Sequence, residues 1–286
     1  MNTPSIASVS ASLGKAPLPA AGPDLAARVT TAIQGLLRGN VQGLNNVKAT
    51  VTPNGAAIQS VAADLTGVTV GGLQTVGTAQ PWAPTPGTET QAVIPTVTAV
   101  ANPITFDGVP VTAKINLTNV GATFGESADG NCGVVLKSPG ASQPLHGTIA
   151  VTAPAEKVAE TVRAEMQAAL KPTGIEITAF AATCTTKDPH TLAVAIKATL
   201  KESILSGEVD GATTVTVANG SQFTVGQVTL SSPNPLINAI VSVATPLISE
   251  YAGKTFDAAQ YLPSGVVIGD VALQGGSTLG ATITLK

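Results

Sequence analysis

The sequence predicts an α+β protein in which two or three amphipathic helices pack against long, bent antiparallel strands. Three observations carry that expectation. Thr, Val and Ile recur in runs of two-residue alternation, the pattern of a half-buried pleated strand. The dipeptides Asn54-Gly55, Asp107-Gly108 and Asn219-Gly220 separate such runs where hairpin turns would fall. Three other stretches repeat their apolar residues three and four positions apart, which is the period of a helix face.

The first helix is expected over Asp24–Arg38. Pro23 and Asp24 supply its start, Leu25, Val29, Ile33, Leu36 and Leu37 its apolar stripe, and Gly39-Asn40 its stop. The period then changes to two: Val47, Ala49 and Val51 alternate with polar residues, Asn54-Gly55 turns the chain, and Ile58–Val70 returns as a second extended run. Residues 77–92, rich in Pro, Thr and Gly, read as a long loop. Strands follow at Val93–Val100 and, with strict alternation, at Val109–Leu117. A second loop, Gly121–Pro144, contains Cys132, and His146–Thr152 is a short strand.

The second helix is expected over Pro154–Leu170, with Val158, Val162, Met166 and Leu170 on one face and Lys171-Pro172-Thr173-Gly174 as its end. Ile175–Ala182 and Leu192–Leu200 read as long strands. Asn219-Gly220 turns a hairpin between Thr213–Ala218 and Phe223–Leu230. A third helix is expected over Pro235–Tyr251, kinked at Pro246, with Leu236, Ile240, Val243 and Leu247 among its apolar residues. Two last strands, Val266–Leu273 and Thr278–Leu285, are joined through Gly275-Gly276. A thin internal repeat aligns Thr50–Ile58 with Val215–Phe223. The domain reading is a flexible segment 1–22 followed by one elongated domain 23–286, or by two fused helix-plus-meander halves, 23–144 and 145–286.

Composition excludes several classes. The chain of 286 residues is 44% hydrophobic and 11% charged, with 14 basic against 17 acidic residues, so it is neither disordered nor a nucleic-acid binder that works by phosphate neutralisation. No run of about 18 strongly apolar residues is present to span a membrane as a helix. Met1–Pro23 lacks the basic and continuous apolar regions of a secretory leader. The compartment is therefore read as cell envelope or secreted if a leader was removed, and cytoplasmic if Met1 is the native start. Cys132 and Cys184 are either a disulfide or two free thiols.

Catalytic patterns are absent. The only histidines, His146 and His190, sit in strand-edge and loop contexts, and no nucleophile elbow, Zn-binding helix, Cys-x-x-Cys pair or dinucleotide turn occurs. Gly253-Lys254-Thr255 lacks the first glycine of a phosphate loop, because position 248 is Ile248. Glu156, Glu160 and Glu165, interleaved with Lys157 and Arg163, read as a solvated helix face. Asp107, Asp129 and Asp210 read as turn residues rather than metal ligands. The expectation is a non-enzyme without cofactor or metal.

What remains is apolar helix surface in excess of the roughly 100° stripe that one sheet face covers. The surplus on the third helix must meet another helix, a subunit or an apolar ligand.

One resemblance bears on that choice. Leu36-Leu37-Arg38-Gly39-Asn40, Val47–Val51, Ile58 and Val61–Val68, followed by Tyr261-Leu262-Pro263-Ser264-Gly265-Val266-Val267-Ile268-Gly269-Asp270-Val271, resemble the LmeA-type bacterial phospholipid-binding family of the tubular lipid-binding (TULIP) superfamily. The resemblance covers both ends of the chain, and Gly121–Pro144 has no counterpart in it. It implies a highly curved antiparallel sheet wrapped around the helices, holding acyl chains in a tubular apolar cavity with no covalent chemistry. On that reading the protein carries or senses a phospholipid or fatty acyl chain and touches membranes transiently. The cavity wall is expected to be Val158, Val162, Met166 and Leu170 with Leu236, Ile240, Val243 and Leu247, and Val162→Glu or Ile240→Glu is expected to abolish uptake. The rival reading is a structural or adhesive β-rich surface or virion protein that forms a homo-oligomer.

Overall fold

The computed structural model describes residues 9–18, 22–37, 40–54, 57–71, 82–137, 144–238, 241–242, 245, 252–262 and 266–286. The protein is α+β with large antiparallel sheets, 58% strand and 20% helix, so the sheets rather than the helices supply most of the framework. It divides into two compact units: Met1–Val151 with Ala259–Asp270 and Ile283–Lys286, and Thr152–Ala258 with Val271–Thr282. The first boundary falls close to the expected junction of two halves at 144/145, but the C-terminal segments 259–270 and 283–286 return to the first unit.

The first unit begins with β1 (Val9–Lys15), α1 (Gly22–Leu36), β2 (Val41–Gln42), β3 (Lys48–Asn54), β4 (Ala57–Asp64) and β5 (Thr69–Val70). It continues with β6 (Thr90–Phe106), β7 (Val109–Glu126), β8 (Asn131–Lys137) and β9 (His146–Pro154). The expected flexible N-terminal segment is corrected over residues 9–15, where β1 pairs antiparallel with β8. It is held from a second side by the Arg28 guanidinium of α1, which donates to the Leu13 carbonyl at 3.1 Å and to the Lys15 carbonyl. The expected Gly121–Pro144 loop is corrected as well, because β7 runs on to Glu126 and β8 returns from Asn131. Gly130, at φ 73°, serves the reversal between the two strands, and Gly133 serves close approach. A β-carbon on Gly133 would overlap the Trp82 ring, and Gly121, Ala122 and Thr123 are buried.

The β6–β7 pair is a long hairpin of 17 and 18 residues, turned at Asp107-Gly108 with φ of 47° and 82°. Both angles suit the mirror-image turn that matches strand twist. The β3–β4 hairpin stands where the Asn54-Gly55 dipeptide placed it. One departure from the antiparallel expectation is that β4 and β5 both pair parallel with β6. β5 continues along β6 in the direction of β4, and no alternation pattern records that direction. Two apolar clusters hold the unit: Ile94, Val120, Ala122, Leu145 and Leu285 in one, and Val47, Val68, Ala101 and Ile104, with Ile33 of α1 and Leu37 just after it, in the other.

The second unit contains α2 (Ala155–Leu170), β10 (Glu176–Asp188), β11 (Thr191–Glu202), β12 (Leu205–Ala218), β13 (Gln222–Val225), β14 (Thr229–Ser231) and β15 (Thr255–Asp257). β10, β11, β12, β13 and β15 form one antiparallel sheet in that order, with β14 on β12. The last strands are β16 (Ile268–Gln274) and β17 (Thr278–Leu285), and the first sheet has the order β16-β17-β9-β7-β6-β4-β3. Of the expected third helix, residues 235–238, 241–242 and 245 are helical, and the rest of 235–251 lies outside the described residues. The core of the second unit is Leu170, Ile175, Ile177, Leu200, Val209, Ile237 and Val241, with Met166, Phe180, Ala198 and Leu230 packed against it.

Candidate functional site

The second unit contains a groove of about 640 Å³ between the N-terminal half of α2 and the C-terminal half of β10. Ala155, Glu156, Ala159, Glu160 and Arg163 line it from the helix, Phe180 to Thr185 from the strand, and Gly276 and Ser277 from the turn before β17.

The origin of the groove lies in one helical stripe. At about 100° per residue, Ala155, Ala159, Met166 and Leu170 fall within roughly 60° of arc on α2. Leu170 is buried in the core and Met166 packs against it, whereas the two alanines are too small to reach the sheet. The strand tapers in the same direction, from Ile177 and Phe180 in the core to Ala182 and Cys184. Large side chains therefore close one half of the helix–sheet interface, and small ones leave the other half open.

Both ends are tied. Gln167 Nε2 donates to the Ile175 carbonyl at 3.1 Å, its Oε1 accepts the Ile177 N–H at 2.6 Å, and Arg163 Nη2 donates to the Ile177 carbonyl at 2.9 Å. At the opposite end the Ala155 N–H donates to the Ser277 carbonyl at 3.0 Å, and the Gly275 N–H donates to Thr186 Oγ1 at 2.7 Å. A β-carbon on Gly275 would stand 2.8 Å from the Cys184 carbonyl oxygen, so only glycine lets the turn lie this close to β10. The lining is mostly apolar, with Ala155, Ala159, Phe180, Ala182 and Cys184 beside polar Thr183, Thr185 and Ser277. Charge is confined to Glu156, Glu160 and Arg163, and Glu160 is already bonded to Lys157 at 2.7 Å. Burial pushes the Cys184 thiol above its ordinary pKa, which leaves a neutral, apolar side chain on the groove wall.

The residues expected to line a cavity are distributed differently. Leu170 belongs to the core and Met166 packs against it, Val158 is half-buried, and Val162 is 40% exposed on the outer edge of the stripe. Leu236 is 61% exposed while its neighbour Ile237 is fully buried. Ile240, Val243 and Leu247 lie outside the described residues. Sequence reasoning missed Ala155, Ala159, Phe180, Ala182 and Cys184, since a gap is marked by small residues on a sheet-facing stripe rather than by large ones.

Cys132 and Cys184 are free thiols, which corrects the disulfide alternative. The Cys132 thiol is engaged within the first unit, donating to the Gly14 carbonyl at 3.2 Å and accepting from Arg28 Nη1 at 3.6 Å, while Cys184 belongs to the second unit. His146 and His190 likewise fall in different units. Among the described residues no group of three or more His, Cys, Asp or Glu is placed to hold a metal ion, and no helix is long and apolar enough to cross a membrane. No family model matches the chain, and neither does any curated protein or solved structure.

Proposed function

We propose that the chain is a non-enzymatic binder, a carrier or sensor, of a phospholipid or fatty acyl chain, and that the groove between α2 and β10 receives the apolar part of the ligand. The observation that carries this reading is the taper from Met166 and Leu170 to Ala155 and Ala159 opposite Phe180, Ala182 and Cys184. It leaves a mostly apolar opening of a size usual for small-ligand sites, with three charged side chains in its lining. The resemblance of the two terminal stretches to LmeA-type proteins supports the same reading.

The energetics set a condition. Each 100 Å² of buried apolar surface contributes about 2.5 kcal/mol, against an association cost of about 4–15 kcal/mol. Micromolar affinity therefore needs several hundred Å² buried in a groove that is already formed. The ties at both ends of the groove supply that preformation.

Native mass spectrometry of the purified protein, followed by organic extraction of what co-purifies, tests the proposal. A discrete added mass that extracts as a phospholipid or fatty acid is the expected result. An apo mass unchanged after incubation with phospholipid vesicles overturns it and moves the assignment to a β-rich structural homo-oligomer.

A further inference from the structure

β10 is an edge strand: among the described residues it pairs with β11 alone. A strand of 13 residues in that position presents a row of backbone N–H and C=O groups outward, and such edges are usually blunted by charge, Pro or a cover. From Ile177 to Thr186 β10 has neither a charged residue nor a proline. The groove runs along this edge. Six consecutive residues, Phe180 to Thr185, line it, whereas a groove over one face of a strand would meet every second side chain.

α2 caps one part of the edge and leaves the next part open. The Gln167 carboxamide accepts the Ile177 N–H at 2.6 Å and donates to the Ile175 carbonyl at 3.1 Å, and Arg163 donates to the Ile177 carbonyl at 2.9 Å. Ile177 therefore turns its backbone polar groups away from β11. The bulge between Ile177 and Ala179 shifts the alternation by one, so that beyond it Phe180, Ala182 and Cys184 face outward. Gly275, seated against the Cys184 carbonyl, agrees with that phase. Toward its N-terminus α2 offers Ala159 and Ala155 in place of Gln167 and Arg163, and an alanine side chain has no group to donate or accept. The charged residues of the lining, Glu156, Glu160 and Arg163, are exposed, and of them only Arg163 bonds to the edge. Among the described residues nothing pairs the outward N–H and C=O of Phe180 and Ala182.

We infer that this open edge takes an extended peptide segment as an added strand between α2 and β10. Hydrogen-bond complementarity fixes the occupant: outward N–H and C=O groups at every second residue are matched by the backbone of another strand. The edge is already satisfied in this way at its start, where the Gln167 amide stands in for a peptide group. Phe180 to Cys184 spans roughly 14 Å at about 3.4 Å per residue, which suits a segment of about five residues. A second copy brings its own α2 along its own β10, so two such edges meet only if two helices occupy one groove. The inference goes beyond the lipid reading and does not rest on it. An acyl chain has no donor or acceptor for the edge, and the two ligands would compete for one groove.

The test uses the full chain and a pool of acetylated, amidated pentapeptides that alternate Thr with Ala, Val, Leu or Phe. Amide hydrogen exchange, read residue by residue by NMR, is expected to show Phe180, Ala182 and Cys184 exchanging freely in the protein alone. With peptide they should slow about tenfold or more, while Ala181 and Thr183, bonded to β11, change little. N-methylation of the peptide at the residues facing the edge is expected to weaken binding about tenfold with every side chain unchanged. Ala182→Pro, which removes an outward donor and spares the β11 ladder, should do the same. No protection from any peptide at millimolar concentration overturns the inference. So does equal affinity for the N-methylated peptide, which would make the contact one of side chains. Protection of the same N–H groups that rises with protein concentration alone also overturns it, in favour of a second copy. Fatty acid uptake by a protein that refuses every peptide leaves the lipid reading standing while this one falls.

Discussion

Ile237 packs so closely on Gly207 of β12 that a β-carbon at position 207 would overlap its Cγ1. Ile237 is fully buried, and this contact seats the helical residues 235–238 on the sheet. Gly207→Ala should therefore destabilise the protein by about 1–3 kcal/mol through overpacking. Denaturant unfolding checks it: the midpoint should fall with the slope unchanged.

Filling the groove should separate binding from stability. Ala159→Trp places a large ring in the space that Ala159 leaves above Phe180 and Ala182, and is expected to abolish uptake of a fatty acid or phospholipid while the far-UV spectrum is retained. Val162→Glu, on the outer edge of the stripe, should leave both uptake and stability nearly unchanged, within about 0.5 kcal/mol. Equal loss of uptake in both variants would place the ligand elsewhere on α2.

The two thiols should react unequally. Cys132 is buried and hydrogen-bonded, so alkylation of the native protein is expected at Cys184 alone. That reaction should be slower than for a solvated thiol, because burial raises the Cys184 pKa and the thiolate is the nucleophile. A bound ligand should slow it further. Peptide mapping after iodoacetamide treatment, with and without fatty acid, reads out each point.

Acid stability should depend on Asp64. Hydrogen bonds from Thr66, side chain first and then the backbone N–H at 2.9 Å, hold its carboxyl below the usual range. A carboxyl with a lowered folded-state pKa contributes stability above its unfolded value near 3.9, and loses it as pH falls through the folded value. The carboxylate stands at the end of β4, so Asp64→Asn should flatten the fall in stability below about pH 4. Equilibrium unfolding across that range, compared between the two proteins, measures it.

Ser221 Oγ donates to the Asp257 carboxylate at 2.7 Å, joining the β12–β13 turn to β15, and Ser221 is buried. Ser221→Ala should cost about 1–3 kcal/mol, since the lost partner is a charged acceptor. Thermal unfolding at neutral pH provides the comparison.

The parts of the fold legible in the sequence are those written in local periodicity. α2, β11, the first half of β10, the end of β12 and the turns at Asp107-Gly108 and Asn219-Gly220 follow from alternation, helical spacing and turn chemistry. The parts missed depend on distant partners. β1 lies in a Ser- and Ala-rich stretch and owes its place to β8 and Arg28, more than a hundred and about fifteen residues away respectively. The parallel pairing of β4 with β6 leaves no trace in either strand. The groove was missed for a related reason: apolar patterning locates what fills space, and Ala155 and Ala159 matter for the volume they leave empty.

If the groove holds an acyl chain as proposed, the ties at its two ends also make it a gauge. From Ala155, bonded to Ser277, to Arg163, bonded to Ile177, α2 advances roughly 12 Å at about 1.5 Å per residue. Neither stop can slide without breaking these hydrogen bonds. A chain shorter than this span would leave apolar wall uncovered, and a longer one would have to project past a stop into water. The site would in that way select its ligand by length, with the carbon count set by two hydrogen-bonded endpoints rather than by any group that recognises a head.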